Sequence, residues 1–251
     1  MTKLTFLGTA DAFNSAGRGN SCYLVEDDAG MYTVDFGPTA LLQCERLGVD
    51  LRALDGIYIT HLHGDHIGGI AMLLVFLHFK LERTRPLVIA GPEGMELRLA
   101  LLRESAYPSV LQRGLGFPIE FVHWKLPGTV EALDRKVTAI RAEHDQLAVA
   151  ASLRVDTEEL SICFSGDTGW QPALADLVRD SDIFVCECSM ASADYWGHLS
   201  VEELLVQRDQ LKVGQLYLSH MSEEARAAAH NRVTELKAII ADDGLVITHE
   251  R

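Results

Sequence analysis

The stretch Thr60-His61-Leu62-His63-Gly64-Asp65-His66-Ile67-Gly68-Gly69 constrains this chain more than any other. It follows an apolar segment, Gly56 to Thr60, that reads as a buried strand, and it gathers three imidazoles and a carboxylate on one glycine-permitted turn. That density of ligand types suits a metal site. His61 and His63 can approach one ion from alternate positions, while Asp65 and His66 can face a neighbouring one. A solvated polar loop has no reason to collect these residues behind an apolar strand.

The rest of the chain supplies further strands. Leu4–Gly8, Ser21–Asp27 and Met31–Gly37 open the sequence, the last two joined by a turn at 28–30. A helix is predicted from Pro38 to Leu47. The run IGGIAMLLVFLHF after the cluster is apolar almost all round and predicts a buried helix. Leu87–Gly91 reads as a buried strand, followed by a helix with Pro92 at its start. Ser105 to Phe117, with Tyr107, Pro108, Gly114 and Gly116, reads as an irregular loop able to cover a site. Strands are expected at Ile119–Trp124 and Lys136–Ala142, then a hairpin running from Ala148 through the turn Asp156-Thr157-Glu158-Glu159 to Asp167. The remainder alternates: helix Gln171–Arg179, strand Asp182–Cys186, helix Val201–Leu211, strand Gln215–Ser219, a long helix Ser222–Ile240 and a last strand Gly244–Thr248. No repeat or linker divides the sequence, so residues 1–251 are read as a single α/β domain of two mixed sheets packed face to face with helices outside.

Composition excludes several roles. With 22 Lys+Arg against 36 Asp+Glu the net charge is −14, which argues against a general binder of long polyanions. The proportions of hydrophobic (48%) and charged (23%) residues are those of a globular protein. The longest apolar run, Ile67 to Phe79, is too short for a membrane helix and is followed by Lys80. Met1 to Leu7 alternates like a strand instead of forming an apolar leader, which predicts a cytoplasmic protein. Five cysteines without a CxxC pair fit that compartment, and Cys186 and Cys188 fall on one face of a strand as two thiols of a core.

Four polar residues stand where apolar strands run out: His144, Asp167, Glu187 and His220. In open α/β arrangements that edge is where sites assemble. Any one of them alone is better read as a cap or a surface residue. Combined with the first cluster, they outline a site.

The order HxHxDH, then single His, Asp and His, resembles the metallo-β-lactamase superfamily, and the resemblance runs from LGTADAF to LSHMS. It implies a four-layer αββα sandwich with a two-metal site along one edge. Carried over, His61, His63 and His144 would hold one ion, Asp65, His66 and His220 the other, and Asp167 would bridge them. Two divalent ions can share a hydroxide, lower its pKa toward neutrality and clamp a substrate oxygen. The mixed imidazole and carboxylate set suits zinc, and manganese or iron can also be held. Asp65 can orient the nucleophile through its second oxygen.

The opening GTADAFNSAGRGNSCYLVE and the pair formed by Glu187 in VCECSM and His198 in GHLS resemble the ribonuclease Z group. That resemblance implies that His198 protonates the leaving alkoxide while Glu187 holds it; a helix-flanking surface histidine is the plainer reading of the same residue, because Ser200 to Glu203 carries a capping signal. Enzymes of that group that mature transfer RNA carry a long arm between the single His and Asp. Here His144 and Asp167 are 23 residues apart and two hairpin strands occupy the interval. The better match is the small cyclic or nucleotide phosphodiesterases of the superfamily. Their phosphonate-breakdown members carry an N-terminal cysteine-rich zinc site, for which only Cys22 is available. The expected function is a dinuclear metal-dependent phosphodiesterase on a small nucleotide-like substrate. The alternatives are a hydrolase of a lactone, thioester or β-lactam, and a transfer RNA 3′-processing endonuclease without its arm. Tyr195 and Trp196 could stack on a base or pack in a core. A homodimer is expected from the resemblance only.

Overall fold

The computed structural model describes residues 1–249, apart from the side chains of 110–112. The strands are β1 (Thr2–Gly8), β2 (Cys22–Asp27), β3 (Gly30–Val34), β4 (Leu54–Tyr58), β5 (Leu87–Gly91), β6 (Ile119–His123), β7 (Gly128–Ala132), β8 (Arg135–Arg141), β9 (Ala151–Asp156), β10 (Ser161–Phe164), β11 (Ser181–Glu187), β12 (Val213–Ser219), β13 (Ala238–Ile240) and β14 (Val246–His249). They form two seven-stranded sheets among the described residues, ordered β14-β1-β2-β3-β4-β5-β6 and β13-β12-β11-β10-β9-β8-β7. Both sheets are mixed: β1, β2 and β3 run antiparallel, β3 to β6 parallel, and β10 to β13 parallel beside the antiparallel β7 to β10.

Three apolar clusters separate four layers, the αββα sandwich expected of the sequence. The inner faces of both sheets meet through residues such as Phe6, Tyr23, Val34, Leu153, Phe164 and Val185. Outside the first sheet lie α1 (Ala40–Leu47), the short α2 (Gly64–Ile67), α3 (Ile70–Phe79) and α4 (Met95–Ala106), whose Cys44, Ile67, Leu73, Leu77 and Met95 join Leu24 and Ile57. After α5 (Pro108–Arg113), helices α6 (Pro172–Val178), α7 (Val201–Gln207), α8 (Glu223–His230) and α9 (Val233–Leu236) cover the second sheet, with Leu174, Leu204 and Ala225 against Phe184, Cys186 and Leu218. α3 buries Ile70, Ala71, Leu73, Leu74 and Leu77 on one face, whereas Met72 and Phe79 on the other face are exposed, so the helix is half-buried and not buried all round as its composition suggested. The Ser200 hydroxyl accepts from the Glu203 amide while Glu203 returns to the Ser200 N–H, closing a capping box at the start of α7.

Several expectations need correction. The long helix over Ser222–Ile240 breaks after His230, and Lys237 in the left-handed region (φ 48°) turns the chain so that Ala238–Ile240 pairs in parallel with β12. An apolar triplet beside an open strand edge gains more from the ladder than from another helical turn. α4 starts at Met95, because Gly94 at φ 89° interrupts the backbone, and Pro92 lies in the preceding turn. The hairpin strand β7 escaped notice; Leu133 and Asp134, both at positive φ, form its two-residue turn into β8. Ser105–Phe117 is not a plain loop, since α5 occupies its centre. No helix of the described residues is long and apolar enough to cross a membrane.

Candidate metal centre

The sequence-predicted residues gather where strands run out on one edge of the sandwich, except that Asp65 and His66 lie on a short helix and His198 in the loop before Ser200. β4 runs into Thr60 and His61, and His63 precedes α2, which carries Asp65 and His66. Chain crossing is tight here. A Cβ on Gly37 would fall 2.2 Å from the Asp65 carbonyl oxygen, so only glycine lets the β3 exit pass under α2. His144 follows β8, Asp167 follows β10, Glu187 ends β11 and His220 follows β12. His220 itself is held at φ 52°, a strained conformation for a non-glycine residue.

The side chains converge as two groups sharing one carboxylate. His61, His63, His144 and Asp167 bring their donor atoms within 4.8 Å of one another, and so do Asp65, His66, Asp167 and His220. Asp167 Oδ2 lies 3.6 Å from His61 Nε2 and 3.9 Å from His144 Nε2. Its Oδ1 lies 3.2 Å from His66 Nε2 and 3.5 Å from His220 Nε2, while Asp65 Oδ2 is 3.2 Å from each of those two nitrogens. These separations resemble the roughly 3.3–3.5 Å between ligands of tetrahedral zinc. Three buried atoms in the centre, His61 Nε2, His66 Nε2 and Asp167 Oδ1, have no hydrogen-bond partner. Orphaned polar atoms are costly, and their convergence fits a cation better than any arrangement of the protein's own groups.

The outward-facing nitrogens are all engaged, which fixes which nitrogen faces inward. Asp35 is the largest contributor: its Oδ2 lies 2.7 Å from His66 Nδ1 and accepts from Thr60 Oγ1 at 2.8 Å, and Thr60 Oγ1 in turn contacts His61 Nδ1 at 3.1 Å. His144 Nδ1 donates to the Gly197 carbonyl at 2.7 Å, His220 Nδ1 meets Ser189 Oγ at 2.7 Å, and His63 Nε2 is 3.3 Å from Asp145 Oδ2. Asp35, Asp145 and Ser189 were not singled out from the sequence. Asp35 could have been, because it ends an apolar strand just as Asp167 does; the other two carry no local signal beyond adjacency to a strand end.

Electrostatics agree with that donor role for Asp65, Asp167, His61 and His144. Burial alone would raise Asp65 and Asp167, yet the surrounding imidazoles hold both carboxyls well below the usual range. Burial also pushes His61 and His144 down, which keeps their lone pairs free. Burial opposes protonation of His66 and His220 too, but Asp167 and Asp65 outweigh it and raise both.

Glu187 and His198 form a separate pair beside these groups. Glu187 Oε1 accepts from His198 Nδ1 at 2.8 Å, Thr168 N at 3.1 Å and Leu199 N at 3.2 Å, and Oε2 accepts from Ser189 N and Oγ at 2.9 Å. With both oxygens filled, Glu187 has no lone pair to spare for an ion, although its donor atom also lies near His220. The His198 ring stands 4.9 Å from that of His144 and 5.8 Å from that of His220. Burial lowers its pKa, but the Glu187 hydrogen bond and charge raise it to about 9.

The site opens into a cleft of about 720 Å³. Its described lining comes from the loop after β1 and from the segment after β11, including Phe13, Ser192 and Tyr195. Among the described residues, none of 105–117 lines it, whereas the sequence suggested a loop able to cover the site. Trp170 packs against the second sheet's outer cluster.

Residues 2–240 match the family described as anti-Pycsar protein Apyc1. The chain belongs to that family. This anti-Pycsar family member is also a ribonuclease Z-like protein of the metallo-β-lactamase superfamily. It is 26% identical to the ribonuclease Z of Shouchella clausii over 99% of its own length and 97% of the relative's. It is 38% identical to the ribonuclease Z of Nitrosopumilus maritimus over 117 residues, which span 47% of this chain and only 37% of that one. Among solved structures, the metallo-β-lactamase fold protein YhfI from Bacillus subtilis superposes with a TM-score of 0.77 over 99% of this chain and 100% of its own, at 20% identity, a likeness of fold. The fold and family relations identify a metallo-hydrolase.

Proposed function

We propose that this chain is, as one hydrolase domain, a dinuclear metal-dependent phosphodiesterase acting on a small nucleotide-like phosphodiester. The observation that carries the reading is the Glu187–His198 pair standing beside the two donor groups. His61, His63 and His144 would hold one ion, Asp65, His66 and His220 the other, with Asp167 between them. Zinc suits this set best. When bound, the ions supply an acidified water and positive charge facing the phosphate oxygens.

The protein's own groups do the rest. Asp35, Thr60, Ser189 and the Gly197 carbonyl hold the imidazoles in the tautomer that points inward. Asp65 gives Oδ2 to the cluster and keeps Oδ1 to accept a hydrogen bond from the attacking water. His198, anchored through Nδ1, donates a proton from Nε2 to the departing alkoxide, and the buried Glu187 charge stabilises the imidazolium beforehand. A phosphodiester has a poor leaving group, so such an acid is worth roughly 10²–10⁴ in rate. Acyl substrates such as lactones and thioesters have less use for it.

A transfer RNA substrate is disfavoured by the short connection between His144 and Asp167, which holds only a 3₁₀ turn and the β9–β10 hairpin. The described lining of the cleft also contains no Lys or Arg. A cytoplasmic location fits five buried, unpaired cysteines. A homodimer is carried by the resemblance alone, and light scattering would test it. The reading as a whole is tested by metal analysis and by assay of bis(p-nitrophenyl) phosphate against a panel of lactones and thioesters. Two ions per chain and phosphodiester turnover are expected; activity confined to the acyl panel would overturn it.

A further inference from the structure

The cleft beside the donor groups carries aromatic side chains that no core absorbs. Phe13 is 90% exposed and Tyr195 44%, and both line the same cleft as His63, Asp65, His198 and His220. Displaying a phenyl ring to water forgoes the gain of burial. The loop that displays it is nevertheless built firmly. Asp11 accepts from Phe13 N at 3.2 Å, Ser15 N at 3.1 Å and Ser15 Oγ at 2.7 Å. The Asn14 amide donates to the Arg18 carbonyl at 3.0 Å, and the buried Arg18 guanidinium donates to the carbonyls of Thr9 at 3.1 Å and Met221 at 2.8 Å. Asp243 adds bonds from Thr9 N, Thr9 Oγ1 and Gly19 N at 3.0, 2.8 and 2.7 Å. Asn14 and Ala16 are held at φ 57° and 56°. Non-glycine residues stay there only where surrounding bonds impose it, and such strain gathers at ligand-binding positions.

Arg18 thereby ties the Phe13 loop to the residue that follows His220. Tyr195 approaches from a separate segment, its ring 5.7 Å from the His198 ring and tilted by 38°. No described lining residue is Lys or Arg, and Asp11, Asp194 and Glu224 contribute acidic groups. Charge on the substrate would thus be met at the ions and at His198 in the cleft. The body of the substrate meets aromatic faces.

We infer that Phe13 and Tyr195 form a subsite that stacks on a heteroaromatic base carried by the phosphodiester and so sets the enzyme's preference among phosphodiesters. This rests on the phosphodiesterase reading of the same cleft. Stacking of one base on one aromatic side chain corresponds to roughly 5- to 150-fold in affinity.

The test uses two esters with one leaving group, thymidine 5′-(p-nitrophenyl) phosphate and methyl p-nitrophenyl phosphate, on the metal-loaded protein. The wild type should favour the thymidine ester through KM. Phe13→Ala and Tyr195→Ala should each cut that preference by about 5- to 150-fold, whereas Phe13→Trp and Tyr195→Phe should keep it. An unchanged preference, an equal fall on both esters, or loss of a dimer with the preference intact would overturn the subsite. If the wild type cleaves neither ester, the phosphodiesterase reading fails instead. Equilibrium binding of adenosine 5′-monophosphate then decides the subsite: saturable binding weakened by Phe13→Ala supports it, and absence of binding overturns it.

Discussion

Two buried polar clusters in this molecule have opposite bookkeeping. At one edge of the sandwich Arg135, only 1% exposed, donates through Nε to Asp27 Oδ2 at 2.8 Å and through Nη2 to Asp27 Oδ1 and the Gly30 carbonyl, with its Nη1 on the Leu133 carbonyl. Its guanidinium also lies 4.6 Å over the Tyr32 ring. No atom of Arg135 or Asp27 is left orphaned. The cluster around Asp167 is equally buried and richer in hydrogen bonds, yet three of its central atoms have no partner. A complete network stabilises one geometry by itself; an incomplete one whose orphans converge is shaped for something brought from outside.

The contrast can be broken at either end. Asp167→Ala should have the largest effect, removing a donor from both groups: turnover should fall by more than about 10³-fold and bound metal should drop below two ions per chain by elemental analysis. His198→Ala should retain the metal and lose about 10²–10⁴ in kcat, most for poor leaving groups; unchanged turnover would remove the acid role. Arg135→Met should instead destabilise the fold by about 3–5 kcal/mol, because Asp27 is left buried and unpaired, with metal content per folded chain intact. Pairing it with Asp27→Leu should recover most of that loss in a denaturant titration. Asp35→Asn should weaken metal affinity by about 10–100-fold through its imidazole partner, without abolishing binding.

The smallest effect is on pH dependence. In the metal-free protein His198 has a folded pKa of about 9, above its ordinary 6.5. The stabilisation from its pairing with Glu187 is therefore complete below about pH 6.5 and lost as pH rises through about 9. Glu187→Gln should remove that dependence and bring the imidazole titration, followed by NMR, down toward or below 6.5. A titration near 9 that persists in Glu187→Gln would assign the shift to other groups.

Legibility in the sequence followed the scarcity of the chemistry. His61, His63, Asp65 and His66 announce themselves because few side chains bind metals and they crowd one turn. His144, Asp167, Glu187 and His220 could be read because each ends an apolar strand, and strand ends on one edge of a sheet meet. The four layers were equally legible from the alternation of strand and helix. The hinge at Lys237 was not, since the gain that converts Ala238–Ile240 to a strand lies in the neighbouring β12, 20 or so residues away in sequence.

By itself the sequence determined the candidate donor residues and the layer architecture, both of which depend on residue type and local periodicity. Only the tertiary structure decided that Asp167 turns one oxygen to each group and that Asp35, Asp145 and Ser189 orient the imidazoles. Among the described residues, the cleft walls, too, take Phe13 and Tyr195 and none of 105–117. Those outcomes depend on contacts between segments far apart in the chain, and any polar or aromatic residue can serve them. No local pattern marks such a residue before the chain has folded.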